Sequence, residues 1–315
     1  MLRDNASLKM NEDEKFRSHA IIFDVQRFSL HDGPGIRTTI FFKGCPIRCA
    51  WCQNPESHKS RPEIAFYMEQ CKESYACRDV CPNDAILTGK QHRVDFEKCD
   101  NCGDCASACA FDTLRIIGRE WRDDALLTEI LKDNDHFLDS GGGVTLSGGE
   151  PMMQVEFLRR FLPLLKSHGL HVNMETCGVF QWEKMATIVA FLDLIYYDLK
   201  HMNPEIHKKY TGVDNEIILS NFSKLAKVFP NLQTRMPVIP GINDDRENIS
   251  AVAQFLKQNK QKSIHCLPYH NLGQAKLSRI DSDLMPLKME SISAKDIQPV
   301  KKMFEEEGIH VVVYD

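Results

Sequence analysis

Phe41-Phe42-Lys43-Gly44-Cys45-Pro46-Ile47-Arg48-Cys49-Ala50-Trp51-Cys52 sets three cysteines in a C-x3-C-x2-C run. Three thiolates can serve three corners of a four-iron cluster and leave the fourth iron open to a substrate. A structural metal site closes its coordination shell, as structural zinc does with four ligands. No fourth Cys or His stands at zinc-finger spacing from this triplet. The run therefore reads as a reactive iron–sulfur site. It ends a zone, 21–44, in which two apolar strand-like runs flank the turn Asp32-Gly33-Pro34-Gly35.

After Trp121, helical and strand patterns alternate. Leu126, Leu127, Ile130 and Leu131 recur at helical spacing. A second stripe, Phe157, Leu158, Phe161, Leu164 and Leu165, closes at Gly169, with Pro163 expected to kink it. Segments 143–146, 170–174, 192–199, 232–239 and 264–268 read as buried strands. Helices are expected near 183–191, 215–229 and 246–259. Apolar strands alternating with helices imply a parallel sheet. Periodicity leaves a β/α barrel and an open doubly wound sheet equally available.

Several motifs carry a family resemblance. Phe28-Ser29-Leu30-His31-Asp32-Gly33-Pro34-Gly35-Ile36-Arg37 precedes the triplet. Ser140-Gly141-Gly142-Gly143-Val144-Thr145, Ser147-Gly148-Gly149-Glu150, Asp198-Leu199-Lys200, Ile239-Pro240-Gly241 and Leu267-Pro268-Tyr269-His270 follow it in order. Beyond Ile21 the chain resembles the radical S-adenosylmethionine (SAM) activating enzymes of glycyl radical enzymes. The resemblance implies an α/β fold, a partial (β/α)6 radical SAM barrel formed by residues 21–62 and 119–315. Cys45, Cys49 and Cys52 would hold a 4Fe-4S cluster whose open iron binds the methionine part of SAM. Reductive cleavage would give a 5′-deoxyadenosyl radical that takes hydrogen from a glycine α-carbon of a partner glycyl radical enzyme. Flavodoxin or ferredoxin would be the electron donor.

The same resemblance assigns cofactor contacts, and each has a plainer alternative. Trp51, Cys52 and Gln53 would border the adenine, though Trp51 can equally be packing beside the cluster. Gly149 would contact the cofactor's amino group through its backbone; Glu150 can instead stabilise a helix N-terminus. Asp198, Leu199, Lys200, His201 and Met202 would lie along the ribose and methionine, or form a solvated helix start. Arg235 lies in a buried strand and needs a partner, either a ligand carboxylate or a structural salt bridge. His270 would sit near the adenosyl group. Glu175 and Thr176 are weaker candidates for a cofactor or cation shell. Cys177 and Cys266 read as buried free thiols.

Residues 63–118 are a cysteine-rich insert that resembles a two-cluster bacterial ferredoxin, with its C-x2-C-x2-C-x3-C-P repeat. The second repeat is complete at Cys99, Cys102, Cys105 and Cys109. The first keeps Cys71, Cys77, Cys81 and Pro82 but has Ser74 where a cysteine belongs. In such ferredoxins the fourth cysteine serves the other cluster. Cys81 would then join Cys99, Cys102 and Cys105, leaving Cys71, Cys77 and Cys109 one thiolate short. One or two further iron–sulfur clusters are expected. Smaller members of the family lack the insert.

Composition sets the remaining bounds. The formal charge of −5 offers no basic field for nucleic acid. No apolar run approaches the roughly 20 residues that span a bilayer. Residues 1–20 lack the apolar core of a signal peptide and read as a flexible tail. Ten of the twelve cysteines fall between Cys45 and Cys109. Ligation of iron in a reducing, anaerobic cytoplasm accounts for them better than a secreted disulfide scaffold. Three rival functions remain: a radical SAM enzyme acting on a small molecule or another peptide, a ferredoxin-like electron carrier, and a zinc-structured interaction protein.

Overall fold

The computed structural model describes residues 19–89 and 93–313. The expected tail lies outside these residues up to position 18, and His19 and Ala20 already belong to the first strand. Eleven strands are described: β1 (His19–Ser29), β2 (Arg37–Phe42), β3 (Glu63–Phe66), β4 (Leu114–Ile117), β5 (Arg119–Arg122), β6 (Gly143–Gly148), β7 (His171–Thr176), β8 (Leu194–Asp198), β9 (Leu232–Val238), β10 (Ser263–Pro268) and β11 (His310–Val313).

Nine of them form one sheet in the order β11-β10-β9-β8-β7-β6-β2-β1-β5. From β2 through β11 every neighbouring pair is parallel; β1 runs antiparallel to both β2 and β5. The strands β6 to β11 succeed one another across the sheet without reversal. A doubly wound sheet reverses its order at a switch point, whereas a β/α barrel winds one way only. The order therefore selects the barrel type, and β11 and β5 remain as edges, so the ring is incomplete. β11 adds one parallel strand to the six expected.

Central strands such as β8 (LIYYD) are buried along nearly their whole length, as strands covered on both faces must be. Between residues 63 and 118, α1 (Ala76–Asp79) and α2 (Asp104–Ser107) are single turns. After β5 come α3 (Asp123–Leu131) and α4 (Asn134–Ser140). The sheet's connections are α5 (Val155–Ser167), α6 (Trp182–Ala186), α7 (Pro204–Thr211), α8 (Glu216–Val228), α9 (Arg246–Gln258), α10 (Gln274–Leu277) and α11 (Gln298–Glu306). α5 buries Val155, Phe157, Leu158, Phe161, Leu162 and Leu165 on one face, and Pro163 lies inside the helix without ending it.

The segment 63–118 has a small core of its own, built on Ile64, Phe66, Cys77, Ile86, Val94, Cys105 and Leu114. Its first and last strands, β3 and β4, pair antiparallel with Glu63 opposite Ile117. A buried ion pair ties it to the sheet: Lys43 Nζ donates to Glu63 Oε1 at 2.6 Å and to the Glu56 carbonyl at 2.8 Å. Gly118 (φ +92°) closes the joint, since a Cβ there would stand 2.4 Å from Lys43 Cδ.

Candidate active site

A cavity of about 690 Å³ opens at the C-terminal ends of the parallel strands. Cys45, Cys49 and Cys52 border it, and so do Trp51, Gln53, Gly149, Asp198, Lys200, Arg235 and His270. Leu199, His201 and Met202 do not. Leu199 belongs to the main core. His201 Nδ1 accepts the Asn203 N–H at 2.9 Å. The carbonyls of His201 and Met202 both accept from Asn215 Nδ2, and the Met202 N–H donates to Asn248 Oδ1 at 2.9 Å. Asn243, fully buried, donates to the carbonyls of Lys200 and Pro237. These asparagines fix the path of the chain as it leaves β8, and no local sequence signal marks them. Glu175 and Thr176 border the cavity, as do His31 and Asp32 from the β1–β2 turn.

An ion network crosses four strand ends. Ser147 Oγ on β6 donates to Glu175 Oε2 on β7 at 2.6 Å. Arg235 on β9 bridges Glu175 Oε1 and, at 3.3 Å, Asp198 Oδ1 on β8. The register sets this up, because Asp198 and Arg235 are direct partners across β8 and β9. Lys200 Nζ completes the chain 3.0 Å from Asp198 Oδ2. Arg235 thus has two protein carboxylates, the salt-bridge alternative. Burial raises the Asp198 carboxyl, but Lys200 and then Arg235 outweigh it and hold the group below its ordinary range. Burial raises Glu175, and Arg235 only partly opposes it. The result is a fixed carboxylate and a fixed ammonium side by side at the cavity wall.

The cysteine loop has its own apolar jacket of Ile47, Trp51, Cys177, Ile239 and Tyr269. Trp51 lies 6.3 Å from the Tyr210 ring, centre to centre. Burial pushes the Cys52 thiol up to about 12 and raises Cys49 as well. Thiolates there need a metal's charge to form. Among the described residues no three His, Cys, Asp or Glu side chains are grouped for one metal ion. A four-iron cluster spreads its thiolates over separate irons and needs a wider arrangement than a single ion does.

Gly149 lets the Ser147–Glu150 turn lie on this loop. A Cβ at Gly149 would stand 2.2 Å from the Gly44 carbonyl oxygen. The Glu150 N–H donates to that same carbonyl at 2.8 Å. The Glu150 side chain, fully buried, accepts from the N–H groups of Met152 and Cys177 and from the Thr176 hydroxyl. It caps the turn that follows and ties β6 to β7. Cys177 and Cys266 are both buried, and Cys177 belongs to the apolar cluster against which Cys45 packs.

Comparison with known proteins decides the family. The radical SAM superfamily matches residues 101–252. The (2S)-3-sulfopropanediol dehydratase activating enzyme of Klebsiella oxytoca is 39% identical, over 93% of this chain and 96% of that protein. The trans-4-hydroxy-L-proline dehydratase activating enzyme of Clostridioides difficile is 36% identical, over 90% and 96%. The 4-hydroxyphenylacetate decarboxylase activating enzyme of C. difficile strain CD196 is 37% identical, over 92% and 94%. The chain belongs to the glycyl radical enzyme activating enzymes. This activating enzyme accordingly uses a 4Fe-4S cluster and SAM, and acts on a partner glycyl radical enzyme.

The other seven clustered cysteines of the activating enzyme fall into two sets. Cys81, Cys99, Cys102 and Cys105 border one small cavity together with Ile64 and Ile86. Cys71, Cys77 and Cys109 lie outside it. None of the seven reaches the strand-end cavity. No described helix is long and apolar enough to cross a membrane.

Proposed function

We propose that the strand-end cavity is where this activating enzyme brings cluster, SAM and partner glycine together. One observation carries the reading: the cysteine triplet, the Gly149 turn and the Asp198–Lys200 pair border a single space at the strand ends. The residues fit the groups. Cys45, Cys49 and Cys52 offer three thiolates and no fourth. Lys200 offers a buried cation to a ligand carboxylate, and Asp198 offers an acceptor to ligand hydroxyls or an ammonium. Gly149 borders the cavity with its backbone, Trp51 and Gln53 flank the last cysteine, and His270 stands at the exposed rim. Lys200 and Arg235 hold Asp198 charged, and Glu175 holds Arg235 in place. Leu199, His201 and Met202 set the backbone beneath this wall.

When bound, cluster and SAM together supply a 5′-deoxyadenosyl radical able to take hydrogen from a glycine α-carbon. The protein's part is to position and to exclude water. The apolar jacket around the triplet serves the second task. Residues 63–118 are proposed as a ferredoxin-like insert that carries one or two further clusters and receives electrons from flavodoxin or ferredoxin. A reducing, anaerobic cytoplasm suits such iron sites.

The reconstituted protein is tested without oxygen for release of methionine and 5′-deoxyadenosine from SAM. It is then mixed with the glycyl radical enzymes served by its relatives, each labelled with deuterium at glycine. Deuterium in 5′-deoxyadenosine and a glycyl EPR signal identify the partner. SAM cleavage with label from no protein glycine would point instead to a small-molecule or peptide substrate.

A further inference from the structure

A buried ring nitrogen in the wall of the strand-end cavity has no partner. His58 is 8% exposed, and its Nε2 makes no hydrogen bond among the described residues. The residue borders the same cavity as Cys45, Cys49 and Cys52. Ser29 Oγ is the other buried side-chain atom in this condition that borders the cavity. Ser29 pairs with Arg37, at the end of β2 remote from the triplet. His58 is held against the triplet itself.

The backbone does the holding. Three successive carbonyls accept from three successive residues that follow β2. Glu56 accepts from Lys43 Nζ at 2.8 Å, Ser57 from the Gly44 N–H at 2.6 Å, and His58 from the Cys45 N–H at 3.4 Å. The short turn Pro55–Ser57 brings these carbonyls round. Arg48 adds a second tie, donating to the Cys45 carbonyl at 2.7 Å and to the His58 carbonyl at 3.5 Å. His58 is thereby fixed to the first cysteine of the triplet. A buried polar atom left unmatched is costly, and native structures rarely keep one. The charged imidazole and one of its two neutral tautomers carry a hydrogen on Nε2. The acceptors that the triplet brings to this wall are the sulfurs of a cluster, which carry negative charge.

We propose that His58 Nε2–H donates to a sulfur of the cluster held by Cys45, Cys49 and Cys52, and that this bond raises the cluster's reduction potential. This rests on the reading of the strand-end cavity as the cluster's seat. His58 is a positioning residue and makes no bond to iron. Reduction adds negative charge to the cluster, so a donor to sulfur favours the reduced state. The hydrogen bond thus sets how readily a donor protein delivers the electron that SAM cleavage consumes.

The test uses the full chain, reconstituted anaerobically and titrated electrochemically under EPR without SAM. The barrel cluster's signal is the one that changes when SAM is added to a parallel sample and is absent from Cys49→Ala. His58→Phe keeps a buried ring and removes the N–H. At a fixed potential near the midpoint, its ratio of reduced to oxidised barrel cluster is expected to fall about tenfold, which is about 59 mV for a one-electron couple. His58→Gln, which supplies an amide N–H, is expected to recover most of that loss. An unchanged ratio in His58→Phe overturns the proposal; weaker SAM binding by calorimetry alongside it would assign the N–H to SAM instead. Equal falls in His58→Phe and His58→Gln also overturn it, since a general disturbance of the loop would produce both. Should His58→Phe hold no cluster, the unmutated protein is grown with histidine enriched in the heavy nitrogen isotope. Pulsed EPR of its reduced barrel cluster is expected to show a weak coupling to that nitrogen, which His58→Gln removes. Absence of the coupling, or its persistence in His58→Gln, overturns the proposal. A SAM-responsive signal that survives in Cys49→Ala would overturn the seat of the cluster, and His58's role with it.

Discussion

At the scale of single residues, local spacing and long-range pairing were not equally visible. The triplet Cys45, Cys49 and Cys52 could be read because its information lies within eight residues. Arg235 could be read as buried and in need of a partner. Its carboxylates could not be named, since Glu175 and Asp198 lie 60 and 37 positions away and meet it only through strand register. Arg235→Gln is expected to destabilise the protein by about 3 kcal/mol, the low end for breaking a buried pair. Glu175, already raised by burial, would rise further without the guanidinium. The folded variant then binds a proton that the unfolded chain takes up only at lower pH. The loss should therefore shrink as pH falls from about 7 to about 5, which chemical unfolding at several pH values will show. A constant loss across that range would mean Arg235 does not act through Glu175. Gly149→Ala tests the other kind of residue. Its Cβ meets a carbonyl rather than a flexible side chain. A loss of about 1–3 kcal/mol is expected from overpacking, together with weaker SAM binding by calorimetry.

At the scale of elements, strands buried on both faces were legible almost to their ends. The run expected at 192–199 is β8 (Leu194–Asp198), and the one at 264–268 is β10 (Ser263–Pro268). β5 (Arg119–Arg122) went unread because three of its four residues are exposed and its sequence is polar. Strand order went unread for another reason: alternation fixes what the elements are, while their succession across the sheet is settled by contacts between them. The joint between sheet and insert was hidden for the same cause. Lys43 and Glu63 are fully buried charges 20 positions apart. Glu63→Gln leaves Lys43 without its carboxylate and is expected to cost about 3–5 kcal/mol in urea unfolding. Replacing both, as Lys43→Met with Glu63→Leu, removes both desolvation penalties. The double variant should regain most of that loss, and a loss as large as in the single variant would show that Lys59, also beside Glu63, is the essential cation.

At the scale of the whole molecule, residues 63–118 stand apart from the strand-end cavity and adjoin the sheet. No residue between 59 and 146 borders the strand-end cavity. Glu63 and Ile117 face each other across β3 and β4, so a short turn can join them and leave the Lys43–Glu63 pair in place. Residues 63–118 are also attached to Lys59, which pairs with Glu63 and lies over the Phe96 ring, and to the chain after β10, where the Phe66 N–H donates to the Arg279 carbonyl and Arg279 pairs with Glu69 at 2.9 Å. A chain lacking 65–115 should therefore keep its main core and its cysteine triplet. It should cleave SAM with a chemical reductant at a rate within about threefold of the intact protein, since a small soluble donor can reach the barrel cluster directly. If residues 63–118 carry clusters and receive electrons as proposed, the rate with flavodoxin or ferredoxin as donor should fall by tenfold or more. Equal rates with both donors would show that the insert carries no electrons and serves the partner or the fold. Loss of cleavage with the chemical reductant, in a chain whose circular dichroism remains native, would show that the insert shapes the barrel site through the Arg279 segment.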